Sequence, residues 1–330
     1  MIPVDSKAFR RILIVKPSSL GDIIHTLPLL SALRRAAPEA EIRWLVNSVW
    51  APLLRGHPQL DGLIEFPRDR IRGLAGPVVL GRWLQGLDWR PDLALDVQGL
   101  LRSALLARAT RARRIAGYSD AREGANLLHH NVIDVALSRS SHAVDRYLTA
   151  LDWLGLERPA SPDFPLAPGE PPAMAGELPE SFVVLHPFSR GKGKSLTCDQ
   201  VERMARGLAL PVVVAGRASE PDLHLDSRDF NWLNRTSLPE LIWLLQKACW
   251  VVSVDSGPMH LAAALTSNLV AIHTWSDPGK VGPYAPEAWV WKGGELFQVK
   301  ERKETGEGGA LFPDSAVETI VGFVNSKTAG

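Results

Sequence analysis

Short apolar runs of four to six residues recur along this chain, and each breaks into a polar or glycine-containing loop that a helical segment follows. That alternation constrains the fold more than any other feature. A strand, loop and helix repeated in one chain build a parallel sheet covered by helices on both faces, an α/β architecture. In the first half, strands are expected at 12–15, 41–46, 63–66, 93–97, 114–118 and 131–135, with helices from Ile23, over 49–54, 78–87, 100–109 and 143–154. The second half repeats the scheme, with strands at 182–186, 212–215, 251–254 and 269–273 and helices at 198–208, 238–248 and 259–265.

Prolines at 159, 162, 165, 168, 171, 172 and 179 separate the halves, a density that supports neither a helix nor a central strand. The chain therefore divides into a domain over 1–158, a proline-rich linker over 159–180 and a second domain over 181–330. Ser315-Ala-Val-Glu318 has the pattern of a capping box opening a C-terminal helix over 315–326, expected to pack back on the first domain.

Composition narrows the class. With 45% apolar and 22% charged residues the chain is globular. No apolar run approaches the ~20 residues that span a bilayer, the N-terminus lacks a signal-peptide core, and Cys198 and Cys249 have no metal-ligand spacing. A cytoplasmic protein is expected. Net charge is +1, divided as +4 over residues 1–170 and −3 over 171–330. The front half suits an anionic partner, but the balance is too mild for nucleic acid.

Parallel sheets bind ligands beyond the carboxyl ends of their strands, so the loops there carry the chemistry. The stretch 250–262, Trp-Val-Val-Ser-Val-Asp-Ser-Gly-Pro-Met-His-Leu-Ala, reads as a strand, a tight turn and a helix N-terminus. Such a turn gathers unpaired N–H groups and the positive end of a helix where a phosphate binds. Asp255 and Ser256 either serve that purpose or merely cap the helix, with His260 on its buried side. The loop after the first strand holds Lys16, Ser18, Ser19, Gly21 and Asp22; the loop after His186 holds Ser189, Arg190, Lys192 and Lys194. Gly193-Lys194-Ser195 imitates the end of a Walker A loop, but Phe188 occupies the position of its first glycine, which excludes the usual phosphate nest. The chain has no G-x-G-x-x-G, no G-x-S-x-G, and no Asp-x-Asp, H-E-x-x-H or Cys-x-x-Cys, so nicotinamide chemistry, a hydrolase nucleophile and a dedicated metal site are not expected.

Four segments carry a resemblance: 12–28 (Ile-Leu-Ile-Val-Lys-Pro-Ser-Ser-Leu-Gly-Asp-Ile-Ile-His-Thr-Leu-Pro), 96–104 (Asp-Val-Gln-Gly-Leu-Leu-Arg-Ser-Ala), 254–262 (Val-Asp-Ser-Gly-Pro-Met-His-Leu-Ala) and 274–279 (Thr-Trp-Ser-Asp-Pro-Gly). In this order, and over nearly the whole chain, they resemble the bacterial lipopolysaccharide heptosyltransferases, glycosyltransferase family nine. The Gln98-Gly-Leu motif, the Ala121-Arg122-Glu123 triplet and Ser276-Asp-Pro-Gly279 are most like the heptosyltransferase I branch.

The resemblance implies a GT-B fold, two facing Rossmann-like domains, the first for the acceptor and the second for a nucleotide sugar. It implies inverting transfer of L-glycero-D-manno-heptose from ADP-heptose to a 3-deoxy-octulosonic acid (Kdo) residue of lipopolysaccharide. The alternatives are addition of a later heptose, use of another nucleotide sugar, or a catalytically silent protein of the same fold. By the same resemblance Asp22 is the general base and Lys194 the cation at the leaving diphosphate. Ser189, Glu220, Asp255, Ser256, Gly257 and His260 join Lys194 in donor binding, and Lys192 competes with Lys194 for the phosphate role. Lys194-Ser-Leu196 departs from the Lys-x-Trp frequent in the family. The anionic acceptor is expected on Arg68, Arg70, Arg72, Arg102 and Arg122. No metal or other cofactor is expected, and the enzyme is placed as a monomer in transient contact with the cytoplasmic face of the inner membrane.

Overall fold

The computed structural model describes residues 9–135, 141–191, 193–219, 222–301 and 311–329. The chain forms two compact units, Met1–Ala167 and Pro168–Gly330, whose boundary falls inside the proline-dense stretch.

The first unit contains β1 (Arg11–Val15), α1 (Leu20–Ala36), β2 (Glu41–Asn47), β3 (Gly62–Phe66), α2 (Gly76–Gln85), β4 (Leu93–Asp96), α3 (Leu101–Ala109), β5 (Arg114–Tyr118), β6 (Asn131–Ile133) and α4 (Ala143–Trp153). Its strands lie in the order β3-β2-β1-β4-β5-β6, and every pair is parallel. Ile12 to Val15 and Leu93 to Asp96 are buried throughout, as strands covered on both faces must be. The helix expected over 49–54 is only a 3-10 turn, Ala51–Leu53, because Pro52 and Gly56, at φ +69°, leave no room for a full turn to propagate.

The second unit contains β7 (Val183–His186), α5 (Cys198–Gly207), β8 (Val212–Gly216), β9 (Phe230–Leu233), α6 (Leu238–Lys247), β10 (Trp250–Val254), α7 (Gly257–Leu265), β11 (Leu269–Ile272), α8 (Pro278–Val281), β12 (Trp289–Lys292), β13 (Glu295–Gln298) and α9 (Ser315–Thr328). The strand order is β13-β12-β11-β10-β7-β8-β9, parallel except for the antiparallel β12–β13 pair. Both sheets thus place the first, second and third strands on one side and the fourth onward on the other. That is the order of a doubly wound Rossmann sheet.

The crevice that this order creates lies where the first and fourth strands adjoin and their following loops diverge. It falls between β1 and β4 in the first unit and between β7 and β10 in the second.

At the C-terminus one expectation meets a different arrangement. The cap of α9 is Asp314, and Glu318 pairs with Arg203 of α5 instead of closing a capping box on Ser315. Ala316, Val317, Ile320 and Val324 belong to the second unit's own core, and the Phe323 ring lies 4.5 Å from that of Trp289.

Candidate active site

In the first unit the chain leaves β1 at Val15 and enters α1 through Ser19, the helix N-cap. The helix begins three residues before the expected Ile23, because Ser19 takes the extended backbone of a cap and its carbonyl already accepts the Ile23 N–H at 2.9 Å. Asp22 is therefore the third helical residue. Its Oδ2 accepts from the Ser19 N–H (3.0 Å) and hydroxyl (2.8 Å), the acidic half of a capping box. Its Oδ1 accepts from the Tyr147 hydroxyl at 3.0 Å and lies 3.7 Å from Lys16 Nζ.

The Asp22 side chain remains 39% exposed, while Lys16 is 2% exposed. Burial works against the charge on Asp22, but Lys16, the two Ser19 donors and Tyr147 outweigh it and hold the carboxyl below the ordinary carboxylate range. The result is an ionised carboxylate that solvent and ligands can reach.

Neither Lys16 nor Tyr147 was assigned to the site on sequence. Lys16 Nζ donates to the Tyr147 hydroxyl at 2.8 Å and to the Val97 carbonyl at 3.3 Å. Burial pulls its pKa down while Asp22 opposes the shift, and the Tyr147 phenol is pushed well up by burial and the adjoining carboxylate. A continuous apolar strand ending in Lys was the available signal for Lys16. Tyr147, 125 residues from Asp22, had none.

The 96–104 motif supports this loop. Asp96, fully buried, accepts from the Gln98 and Gly99 N–H groups (3.1 and 3.2 Å), the Ser103 hydroxyl (3.0 Å) and the His129 ring (3.1 Å). The turn so fixed puts Gln98 Oε1 3.3 Å from the Ser18 N–H and the Val97 carbonyl on Lys16. Asp96 is a structural knot.

The five arginines all follow carboxyl ends of strands in the first sheet, in two groups. Arg68 and Arg70 lie in a 3-10 turn after β3 and Arg72 follows it, two strands away from β1. Arg102 lies in the first turn of α3 after β4, and Arg122 lies in the turn after β5, its N–H bonded to the Gly99 carbonyl of the loop before α3 at 2.8 Å. Arg70, Arg72, Arg102 and Arg122 are exposed, and Arg68 is half-buried.

In the second unit the basic loop after β7 folds on Ser195, whose hydroxyl accepts from the Ser189 N–H (2.9 Å) and donates to the Ser189 carbonyl (3.1 Å). Lys194 Nζ donates to Asp255 Oδ2 at 2.5 Å, and the Ser276 hydroxyl donates to the same oxygen at 2.5 Å. Loops after β7, β10 and β11 thus converge on one carboxylate. Burial opposes ionisation of Asp255, but His273, Lys194 and Ser276 outweigh it and keep the carboxyl below its usual range. His273 itself is pushed by burial down to about 4, so at neutral pH the positive charge at this carboxylate is that of Lys194. With the Ser276 proton committed to Asp255, the His273 Nδ1, 2.9 Å away, carries a hydrogen.

Lys292, a further residue missed on sequence, donates to the carbonyls of Thr274 (3.3 Å) and Ser276 (2.8 Å) and fixes the loop between them. In that loop Trp275, half-exposed, presents its ring centroid 4.5 Å from Lys194 Nζ. The aromatic partner of the lysine comes from this loop, while Leu196, where the family often has tryptophan, is buried in the core. Ser256 is the N-cap of α7 and makes no side-chain bond to the helix's first N–H groups; its hydroxyl lies 3.4 Å from His186 Nδ1. Gly257 opens the helix and His260 lies buried one turn in. Gly216, at φ +124°, has no room for a side chain, since a Cβ there meets His186 Nε2 at 2.6 Å. Lys192 and Glu220 lie outside the described residues. No group of three or more His, Cys, Asp or Glu able to hold a metal ion occurs among the described residues, and no helix there is long and apolar enough to cross a membrane.

This geometry has known counterparts. The chain is 30% identical over 313 residues to lipopolysaccharide heptosyltransferase 1 of Pseudomonas aeruginosa, covering 83% of this chain and 81% of that one. It is 28% identical over 303 residues to lipopolysaccharide heptosyltransferase 1 of Salmonella typhimurium, covering 83% and 91%. Its structure resembles that of the Escherichia coli heptosyltransferase WaaC with ADP, with a TM-score of 0.74 and 25% identity over 95% of this chain and 99% of that one. The model of glycosyltransferase family 9 (heptosyltransferase) matches residues 82–196 and 214–309. Two Rossmann-ordered sheets of GT-B type, with an ionised aspartate at the switch point of one and a lysine–aspartate pair at that of the other, are thus those of an enzyme: the chain belongs to glycosyltransferase family 9, the heptosyltransferases.

Proposed function

We propose that this enzyme moves L-glycero-D-manno-heptose from ADP-heptose to Kdo of the lipopolysaccharide inner core, with inversion at the anomeric carbon. The observation that carries the reading is Asp22, an ionised, reachable carboxylate whose two oxygens are oriented by Ser19 and Tyr147. In the proposed step the acceptor oxygen bonds to the anomeric carbon and its proton passes to Asp22. The bond from that carbon to the diphosphate breaks, and ADP leaves with the electron pair. A positioned carboxylate typically contributes ~10²–10⁴-fold to such a step.

Lys194 and the open N-terminus of α7 take up charge developing on the diphosphate, one as an ammonium and the other as backbone N–H groups at the positive helix end. Ser189, Ser256, Gly257 and His260 complete the donor site. ADP in the WaaC structure supports an adenine nucleotide as the leaving group. With these groups supplying the charge, no divalent metal is required. The arginines at the carboxyl edge of the first sheet hold the carboxylates and phosphates of Kdo-lipid A, for which the forked guanidinium is suited. A lipid-borne acceptor calls for transient contact with the cytoplasmic face of the inner membrane, where the enzyme is proposed to act as a monomer.

Incubation with ADP-heptose and Kdo-lipid A tests the reading. ADP release that depends on acceptor supports it. Release only with an acceptor already bearing heptose, or only with another nucleotide sugar, overturns it.

A further inference from the structure

We propose that Lys16 and Tyr147 are positioning residues for the first unit's carboxylate: together they fix Asp22 Oδ1 and return the side chain to its anionic form after each turnover. This rests on the reading of Asp22 as the base. The argument is geometric. Lys16 is a buried ammonium whose close contacts are the Tyr147 hydroxyl at 2.8 Å, the Val97 carbonyl at 3.3 Å and Asp22 Oδ1 at 3.7 Å. Tyr147, also buried, accepts from Lys16 and donates its hydroxyl hydrogen bond to Asp22 Oδ1 at 3.0 Å. The phenol can make only one such donation. Its direction is set by the lysine on its other side, which has no acceptor capacity.

When Asp22 takes the acceptor proton, the buried cation loses its anionic partner. That state is unfavourable, because a buried charge is tolerated only when compensated. The ammonium therefore expels the proton from Asp22 to solvent, which the 39% exposure of the carboxylate permits. The phenol holds the oxygen in place throughout. Its ring is itself held by Arg146, 5.4 Å from its centroid and paired to Asp120, and its backbone carbonyl accepts from the Tyr118 hydroxyl at 2.7 Å. Asp96 of β4 also acts on Lys16, and α1 and the cap of α4 carry the His25–His142 pair, with ring centroids 5.1 Å apart.

The test uses Tyr147→Phe, which keeps the ring, and Lys16→Met, which keeps the length of the side chain. Two quantities are read: the midpoint of the Asp22 carboxyl by ¹³C NMR titration, and the acid limb of the kcat profile. In both variants the midpoint is expected to rise by about 1 pH unit or more, the acid limb to follow it, and kcat to fall about tenfold or more with donor KM unchanged. Should Lys16→Met fail to fold, Tyr147→Phe carries the test alone. Reduced activity with an unmoved carboxyl midpoint makes the two residues structural and overturns the inference, while the base reading stands. A moved midpoint with an unmoved acid limb overturns both, because Asp22 is then not the group whose ionisation limits the reaction.

Discussion

Lys194 and Asp255, 61 residues apart, meet at 2.5 Å and join the loop after β7 to the loop after β10 at the switch point of the second sheet. The pair is asymmetric, with Asp255 buried to 7% exposure and Lys194 retaining 19%. Removing the lysine strands a buried carboxylate. Lys194→Met is expected to cost on the order of 2–3 kcal/mol, somewhat below a fully enclosed pair because one partner is partly solvated. Thermal unfolding measures that loss, and donor KM should rise in the same variant. An unchanged unfolding midpoint contradicts the assignment.

Two histidines predict a pH dependence of stability. Burial pushes both His186 and His273 down to about 4, against about 6.5 in an unfolded chain. Between those values the unfolded chain binds more protons than the folded one, so stability falls as pH is lowered from about 6.5 to about 4. Each contributes on the order of 3 kcal/mol across that window. The melting temperature should drop steeply there, and His273→Gln should flatten the slope. A melting temperature constant from pH 6.5 to 4.5 contradicts the assignment of neutral buried rings.

Much of this arrangement was legible in the sequence. Apolar runs such as 12–15 and 251–254 announced buried parallel strands, and the loops after them held Asp22, Lys194 and Asp255. What was not legible depends on contacts far apart in the chain. Nothing local at Tyr147 marks it as a partner of Asp22, and Lys292 reaches the Thr274–Ser276 loop only through strand pairing. The β12–β13 hairpin was missed although its signal was present: Gly293-Gly294, at φ +61° and +94°, between two short alternating runs. Strand β9 was missed because Phe230-Asn-Trp-Leu233 is too short and too mixed to stand out.

The two arginine groups are separable by kinetics. If Arg102, in the first turn of α3, and Arg122, in the turn after β5 that bonds to Gly99, hold the acceptor, Arg122→Ala should raise acceptor KM about tenfold, the worth of one charge-assisted contact. Donor KM should stay constant. The triple Arg68/70/72→Ala variant should act in the same direction. Wild-type acceptor KM in both, at moderate salt, sinks the acceptor assignment.

Metal independence is tested by chelation. With Lys194 and the N-terminus of α7 available to the diphosphate, turnover in EDTA should match that in magnesium. Activity abolished by EDTA and restored by magnesium contradicts it.

The central claim is that Asp22 takes the proton, and Asp22→Asn tests it most directly. Asparagine keeps a carbonyl oxygen able to accept the Ser19 N–H, so the start of α1 is preserved, but it cannot accept the acceptor's proton. The measurement is kcat with saturating ADP-heptose and Kdo-lipid A, alongside donor binding and the unfolding midpoint. The account predicts near-normal folding and donor binding with kcat reduced at least ~100-fold. A folded Asp22→Asn enzyme that turns over at close to the wild-type rate contradicts it and leaves Asp22 as part of the helix cap alone.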